Sequence, residues 1–387
     1  MTMNALSRNP AVRGTGWTIF AIILAVLPFV IQHALGNTWV RNLDFAMLYI
    51  MLALGLNIVV GFAGLLDLGY VAFYAVGAYT YALLNSPHLV PMLTGTHFEW
   101  LLHTPLWFVL PLAAFLAGAF GVLLGAPTLK LRGDYLAIVT LGFGEIIRLF
   151  LNNLDRPLNI TNGPQGVNLI EPVSMFGHKF TESITIAGIE FSKIHLYYYL
   201  FLALAMLIIL VTVRLQSSRL GRAWVAIRED EIAAQAMGIN TRNVKLLAFA
   251  MGASFGGVSG AMFASFQGFV SPESFVLMES IVILAMVVLG GMGNIPGVIL
   301  GAILLFLMPE VLRDVVNPLQ DKLLGERVIN PENLRMLLFG GALIFVMLVR
   351  PEGLWPSKRR KLEFHEQDAK SKADAASAAV TEESAHG

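Results

Sequence analysis

The sequence predicts an all-α integral membrane protein with about ten transmembrane helices. Of its 387 residues, 56% are hydrophobic and only 13% are charged, whereas soluble globular proteins carry about 25% charged residues. Apolar runs long enough to cross a bilayer, about 17–25 residues, recur along the chain. A charge deficit of this size fits a solvent that penalises charge, and a lipid bilayer is such a solvent.

Each long apolar run predicts one spanning helix. The ten candidates are 17–35, 45–63, 66–84, 105–125, 134–151, 196–214, 246–268, 276–292, 297–313 and 333–350. The third, eighth and ninth are the weakest, because a glycine or an acidic residue interrupts or borders each of them. Short or broken helices are expected there, so eight or nine spans is the alternative count. Arg8 and Arg13 precede the first run as in a signal peptide, but no A-x-A-like cleavage site follows, which favours a retained helix.

Lysines and arginines in the loops predict the orientation, because they concentrate on the cytoplasmic side. With ten spans and a cytoplasmic N-terminus, 17 of the 26 lie inside, and nine lie outside or near the outer helix ends. Both termini are therefore predicted to be cytoplasmic. The chain then divides into an N-terminal segment (1–16), a transmembrane domain (17–350) with an external loop (152–195) and a cytoplasmic loop (215–245), and a polar, largely disordered cytoplasmic tail (351–387).

The sequence shows no catalytic, cofactor or metal site. The chain contains no cysteine, which excludes disulfides and thiolate chemistry. Glycine is never followed by lysine and no HExxH occurs, so neither a phosphate loop nor this zinc motif is present. His88, His97 and His103 share one predicted external loop and could hold a metal, but solvated histidines are the simpler interpretation. A net charge of zero gives no indication of a nucleic-acid partner.

Small residues recur at intervals of four in the seventh span, at Gly252, Gly256, Gly260, Ala264 and Gly268. This spacing puts them on one helix face, where another helix can approach closely. Plain helix packing and a sliding surface used in transport are the two interpretations. The pairs at 121 and 125 and at 297 and 301 repeat the spacing.

Charged residues inside the spans are few, and each is costly at the bilayer centre. Glu145 and Arg148 are three residues apart and are expected to pair, as are Glu310 and Arg313; a proton relay at Glu145 is the alternative. Glu279 lies near a predicted helix end. No ladder of acidic residues crosses the membrane, which argues against a proton-driven mechanism.

The polar segment 218–245 predicts a short cytoplasmic amphipathic helix. Glu229, Asp230 and Glu231 are placed in its first turn, where acids suit the helix dipole, and Gly238 is expected to end it in a left-handed conformation. The predicted apolar face consists of Ile232, Ala233, Ala236 and Met237. Either this face packs on its own protein, or it serves as a knob for a soluble partner whose cleft would also receive Ala234.

This segment resembles the coupling loop of ABC importer permeases, whose signature is E-A-A, three residues and then G. The string from Glu231 to Gly238 matches it with one extra residue after the glutamate. Further segments resemble the branched-chain amino acid ABC permeases, and their order resembles the M-type subunit: GFAGLLDLGYVAFYAVGAYT (61–80), LKLRGDYLAIVTLGFGEIIR (129–148), TNGPQGV (161–167), SRLGRAWVAIREDEIAAQAMGIN (218–240), GGMGNIPGVILGA (290–302) and RPEGLWP (350–356). Asp67 departs from the family pattern, which usually has a small hydroxyl residue there.

The resemblance implies an ABC importer permease fold in a bacterial inner membrane. Its partners would be an H-type permease, two cytoplasmic ATPases, an external substrate-binding protein and membrane lipid. Residues 229–238 would transmit motion from the ATPases, and the external turn containing Asn162, Gly163 and Gly166 would face the binding protein. Branched-chain amino acids are the expected substrates, with urea, short amides or other amino acids as alternatives. An ion-gradient-driven transporter and an intramembrane enzyme are the competing classes.

Overall fold

The computed structural model describes residues 10–95, 97, 100, 102–129, 131, 133–157, 159–175, 178–180, 184–186, 189–323, 340–341, 344, 348 and 353–355. Its helices are α1 Pro10–Leu35, α2 Asn37–Leu56, α3 Val71–Leu84, α4 Val90–Leu93, α5 Leu106–Thr128, α6 Asp134–Asn153, α7 Lys193–Ser217, α8 Arg219–Glu229, α9 Glu231–Ala236, α10 Thr241–Gln267, α11 Leu277–Gly290 and α12 Ile295–Leu323. A π-helical turn, Asn57–Phe62, continues α2.

Two small antiparallel hairpins amend the all-α prediction. β1 (Ser174–Met175) pairs with β2 (His178–Lys179), and β3 (Ile184–Ile186) pairs with β4 (Ile189–Phe191). Both lie in the segment predicted as the external loop. The helices remain the framework of the protein.

Six helices of the described chain are long and apolar enough to cross a membrane. They are Asn37–Phe62, Leu106–Thr128, Lys193–Ser217, Thr241–Gln267, Pro272–Gly290 and Ile295–Asp314, and two shorter apolar helices are Ile22–Leu35 and Val71–Leu84. The predicted span 134–151 is the 20-residue helix α6, which is not among the six. Most of the predicted span 333–350 and most of the 351–387 tail lie outside the described residues, so the count of ten stays a prediction.

Several predicted boundaries differ from the structure. The first helix begins at Pro10 rather than at 17, and the second begins at Asn37 rather than at 45. The predicted span 66–84 is helical only from Val71. Before it, the chain is irregular because side chains hold its backbone: Asp67 Oδ1 accepts from the Gly69 amide at 2.9 Å, and Thr140 Oγ1 accepts from the Leu68 amide at 3.0 Å.

The helix ends fall on two opposite faces of the protein. Face A carries the described residues of the segment 154–192, whose Val167 forms a β-bridge with Val270 beyond the end of α10. Face B carries the segment 218–240, and Gly353–Trp355 lies there too, since the Leu354 amide donates to Leu289 O at the end of α11. The end of α1 lies at face A, where Phe29 stacks on His195 at the start of α7. Its start at Pro10 therefore lies toward face B.

Helix α10 lies at the centre and packs against α2, α3 and α5. An added Cβ at Gly252 would lie 2.6 Å from Val59 Cγ2, and one at Gly260 would overlap the Tyr74 carbonyl oxygen. Gly256 faces Phe73 and Tyr70, and Ala264 is fully buried. The small residues thus let the backbones approach closely, as the packing interpretation requires.

Gly268 does not belong to this packed face, contrary to the prediction. Its φ is +74° and an added Cβ would meet nothing within 4 Å. Because it follows the last helical residue, it ends α10 in the left-handed conformation that glycine adopts easily.

The predicted ion pairs are present. Glu145 and Arg148 approach to 3.0 Å, and Glu310 and Arg313 to 3.4 Å. Glu279 instead accepts from the Tyr49 hydroxyl at 2.9 Å. Asp44 of α2 is the charged residue that sequence reasoning missed: it is fully buried, and neither carboxylate oxygen has a hydrogen-bond partner within the described part of the chain.

The glycine packing of α10 gives a stability prediction. Gly260→Ala should lower the thermal unfolding midpoint of the detergent-purified protein, because the added methyl group meets a backbone carbonyl and overpacking costs about 1–3 kcal/mol. Gly142→Ala is the matched control, since Gly142 is also helical and an added Cβ there meets nothing within 4 Å. Gly142→Ala should leave the thermal unfolding midpoint unchanged or raise it slightly. Equal midpoints for the two variants would contradict the packing interpretation.

Candidate functional site

Two consecutive helices on face B, α8 and α9, form the most distinctive surface of the protein. The sequence predicted one helix near 229–238, and the structure adds α8 before it. Ser218 caps α8 by accepting from the Gly221 amide at 3.2 Å. Trp224 is fully buried, and its ring nitrogen donates to Val244 O of α10 at 2.8 Å. This buried indole fixes α8 against the first turns of α10.

The short helix α9 is fixed at both ends. Asp230 Oδ1 accepts from the amides of Ile232 and Ala233 at 2.8 and 3.0 Å, which is a standard N-terminal cap. At the other end Gly238 has φ +84°, as predicted, and its amide donates to Gln235 O at 2.9 Å. A side chain at Gly238 would find open space but a strained backbone.

The acidic residues before α9 have three different positions rather than one shared turn. Glu229 is the last residue of α8, Asp230 is the cap, and only Glu231 belongs to α9. The Glu231 carboxylate accepts from Lys245 Nζ at 2.7 Å, and Lys245 is buried. This ion pair ties α9 to α10, because a buried ammonium needs a partner.

The apolar residues of α9 divide between the protein and the solvent. Ile232 is 69% exposed and Met237 is 83% exposed, and Ala233 and Ala236 are also exposed. Ala234 is only 4% exposed, so it packs inside its own chain. The expectation that Ala234 enters a partner's cleft is wrong, and the exposed group is Ile232, Ala233, Ala236 and Met237.

On face A, the turn containing Asn162, Gly163 and Gly166 forms part of a closely packed layer. Asn162 Nδ2 donates to Gly166 O at 2.9 Å. An added Cβ at Gly163 would lie 3.0 Å from Asn152 O of α6, and one at Gly166 would overlap Val270 O. The layer therefore connects the face A ends of α6 and α10.

One exposed side chain of this layer was not singled out from the sequence. Leu169 is 77% exposed and its φ is +55°, a conformation that residues other than glycine, asparagine and aspartate adopt rarely. Its neighbour Ile170 is buried, and the Ile170 amide donates to Gly268 O at 3.3 Å. The backbone around Leu169 is thus fixed while its side chain points outward.

The predicted histidine loop offers no metal centre in the part of the chain that the structure describes. His88 Nε2 lies 3.1 Å from Asn159 O, and His103 Nδ1 lies 3.3 Å from a Glu171 carboxylate oxygen. These contacts join face A segments to one another.

Comparisons with known proteins agree in one family. Residues 38–347 match the family model described as branched-chain amino acid transport system / permease component. The chain is 41% identical over 365 residues (91% of this chain, 78% of the relative) to the high-affinity branched-chain amino acid transport system permease protein LivM of Escherichia coli K12. It is 26% identical over 331 residues (80% and 91%) to a probable LivM of Methanocaldococcus jannaschii, and 27% identical over 311 residues (79% and 90%) to LivH of Escherichia coli K12. No solved structure matches.

The burial of Ala234 gives a prediction that needs no partner protein. Ala234→Trp should expose the 218–240 segment of the isolated protein to protease, because indole cannot fit where a methyl group is buried. Ala233→Trp is the matched control, because Ala233 is exposed. This substitution should leave the digestion rate unchanged. If both variants resisted the protease equally, Ala234 would not be packed as described.

Proposed function

The chain belongs to the branched-chain amino acid permease family, and from that premise we propose that it is the M-type membrane subunit of an ATP-driven importer. Its identity to LivM, 41%, exceeds its 27% identity to LivH, which favours the M-type assignment. The proposed substrates are leucine, isoleucine and valine, because those relatives are named for branched-chain amino acid transport. An ion-gradient-driven transporter has no comparable support.

The observation that carries the ATP-driven mechanism is the exposed apolar surface of α9, which we name the α9 surface: Ile232, Ala233, Ala236 and Met237. It lies outside the candidate membrane spans, so the hydrocarbon core of a bilayer does not cover it. Exposed apolar side chains on a helix fixed by a cap and an ion pair suit docking into a hydrophobic groove. We assign this groove to cytoplasmic ATPase subunits, since the sequence has no phosphate loop with which to bind ATP itself.

The proposed importer contains further subunits. The relation to both LivM and LivH supports pairing with a paralogous H-type permease. Of the apolar stretch that marks each candidate span, 89% is buried inside the protein in α2, whereas only 33–39% is buried in α5, α7 and α12. Helix α2 is thus covered by this chain, while α5, α7 and α12 are available to lipid and to the H-type partner.

Face B is the proposed cytoplasmic side of the bacterial inner membrane. It carries α8 and α9. It also carries basic residues from which the cytoplasmic side was predicted, including Arg219, Arg222 and Arg242. Because α1 starts toward this face and Gly353–Trp355 lies on it, both termini are proposed to be cytoplasmic. Face A is then external, and its closely packed layer is the proposed docking surface for the substrate-binding protein.

Charge placed on the α9 surface should release the ATPases. Ile232→Asp puts a negative charge at the start of α9, and Met237→Lys puts a positive charge at its end. The helix dipole favours each charge at that end, so α9 should stay folded. Loss of one buried apolar side chain, about 1.5–3 kcal/mol, should reduce ATPase retention about tenfold or more, measured by co-purification from membranes with equal permease abundance.

Arg242→Ala is the control for this prediction, because Arg242 is exposed and lies beyond Gly238 in the next helix. It should retain the ATPases and ATP-driven uptake. Normal retention in both charged variants would remove the α9 surface as the docking site.

The external layer can be tested at Leu169 without disturbing its backbone. Leu169→Asn should keep the left-handed turn, which asparagine tolerates, and remove the apolar contact. Uptake should fall roughly tenfold at limiting binding protein, with normal ATPase co-purification. Leu169→Met, which keeps an apolar side chain, is the control, and equal uptake by the two variants would argue against docking at this residue.

A further inference from the structure

One side chain, Arg228, joins the face B helices to the end of α2. Arg228 is the penultimate residue of α8, and its Nη1 donates to the Gly61 carbonyl oxygen at 2.7 Å across 167 positions of sequence. A hydrogen bond from an ionised donor is about twice as strong as one between neutral groups. The contact is therefore a firm link between two distant segments.

The irregular end of α2 makes this link possible. Gly61 belongs to the π-helical turn that ends α2, and carbonyls in the last turn of a helix have no partner within the helix. Gly64, with φ +70°, lies beside the methylene groups of Arg228, where an added Cβ would come within 2.6 Å of Arg228 Cγ. A residue with a side chain at 64 would displace the arginine.

The same guanidinium lies beside the turn between α11 and α12. Asn57 is fully buried, and its Oδ1 accepts from the Gly293 amide at 2.8 Å. An added Cβ at Gly293 would lie 3.3 Å from Gly61 O and 3.5 Å from Arg228 Nη1. Arg228, the end of α2 and the α11–α12 turn therefore meet at one junction, which we name the Arg228 junction.

The other attachments of α8 and α9 lead to a different part of the protein. Trp224 and Glu231 both bind to α10, whose glycine contacts with its neighbours leave little room for displacement. The Arg228 junction instead contacts turns with left-handed glycines, Gly64 and Gly293. A cavity of about 360 Å³, lined by α8 together with Gly61 and Gly293, adjoins it.

We infer that Arg228 is a positioning residue that transmits the movement of α8 and α9 to α2, α11 and α12; this inference rests on the proposed ATPase contact. α8 and α9 move together, because Asp230 alone separates them in the chain. Held on α10 at Trp224 and Glu231, they turn about these attachments against the turns at 61–64 and 291–293, with the cavity as the space into which they move.

The test uses the whole importer in proteoliposomes with its H-type permease, ATPases and leucine-loaded binding protein. Arg228→Met keeps the stem that lies on Gly64 and removes every donor. The ATPases should remain bound, leucine uptake should fall about tenfold, the factor expected for one lost hydrogen bond from a charged group, and more ATP should be hydrolysed per leucine. Arg228→Lys, which keeps a charged donor, should recover part of the coupling.

Arg222→Met is the matched control. Arg222 lies on α8 beside the same cavity but is exposed, and it donates to the carbonyl oxygen of Ser217, the last residue of the preceding helix α7. This variant should keep the ratio of ATP to leucine unchanged.

An unchanged ratio of ATP to leucine in Arg228→Met would overturn the inference. So would failure of both Arg228 variants to reach normal abundance, since the contact would then be one that holds the fold together. Loss of the ATPases in Arg228→Met would also overturn it, by making Arg228 part of the docking surface. A different result would contradict the docking proposal: normal retention of the ATPases by Ile232→Asp and Met237→Lys.

Discussion

Close backbone contact along α10 is the constraint on which the rest of the structure depends. Lipid tails are as apolar as leucine, so helices in a membrane associate through packing and hydrogen bonds rather than through exclusion of water. Gly252 and Gly260 let α10 lie close to the backbone of α2 at Gly55 and to the backbone of α3 at Tyr74. This fixed centre then holds α8 and α9 through Trp224 and Lys245 on face B, and it holds the face A layer through Val270.

The irregular chain between α2 and α3 is the second feature of the architecture. Backbone groups outside regular helices need partners where water is scarce, and distant parts of the sequence supply them here. Thr140 binds the Leu68 amide, and Arg228 binds the Gly61 carbonyl. The break in the helix is thus stabilised by side chains from two distant segments, and one of them, Arg228, is also the residue that carries the proposed coupling.

Local features of the sequence predicted the local features of the structure. Long apolar runs located most helices, the i, i+3 spacing predicted the Glu145–Arg148 pair, and a lone glycine predicted the left-handed end of α9. The helix α8, the burial of Ala234 and the bond from Arg228 to Gly61 were not predicted. Each depends on segments far apart in sequence, and helical periodicity does not indicate which face of a short helix meets a distant neighbour.

Cross-linking from a single cysteine at position 237 tests the central claim most directly, because the chain has no cysteine of its own. A photoactivatable probe attached to Met237→Cys in the whole importer is predicted to link to an ATPase subunit, with a yield that changes when ATP is added. The same probe on Arg242→Cys serves as the reference for background. A link to the external binding protein, or labelling of Met237→Cys by an impermeant reagent applied outside intact cells, would contradict the account.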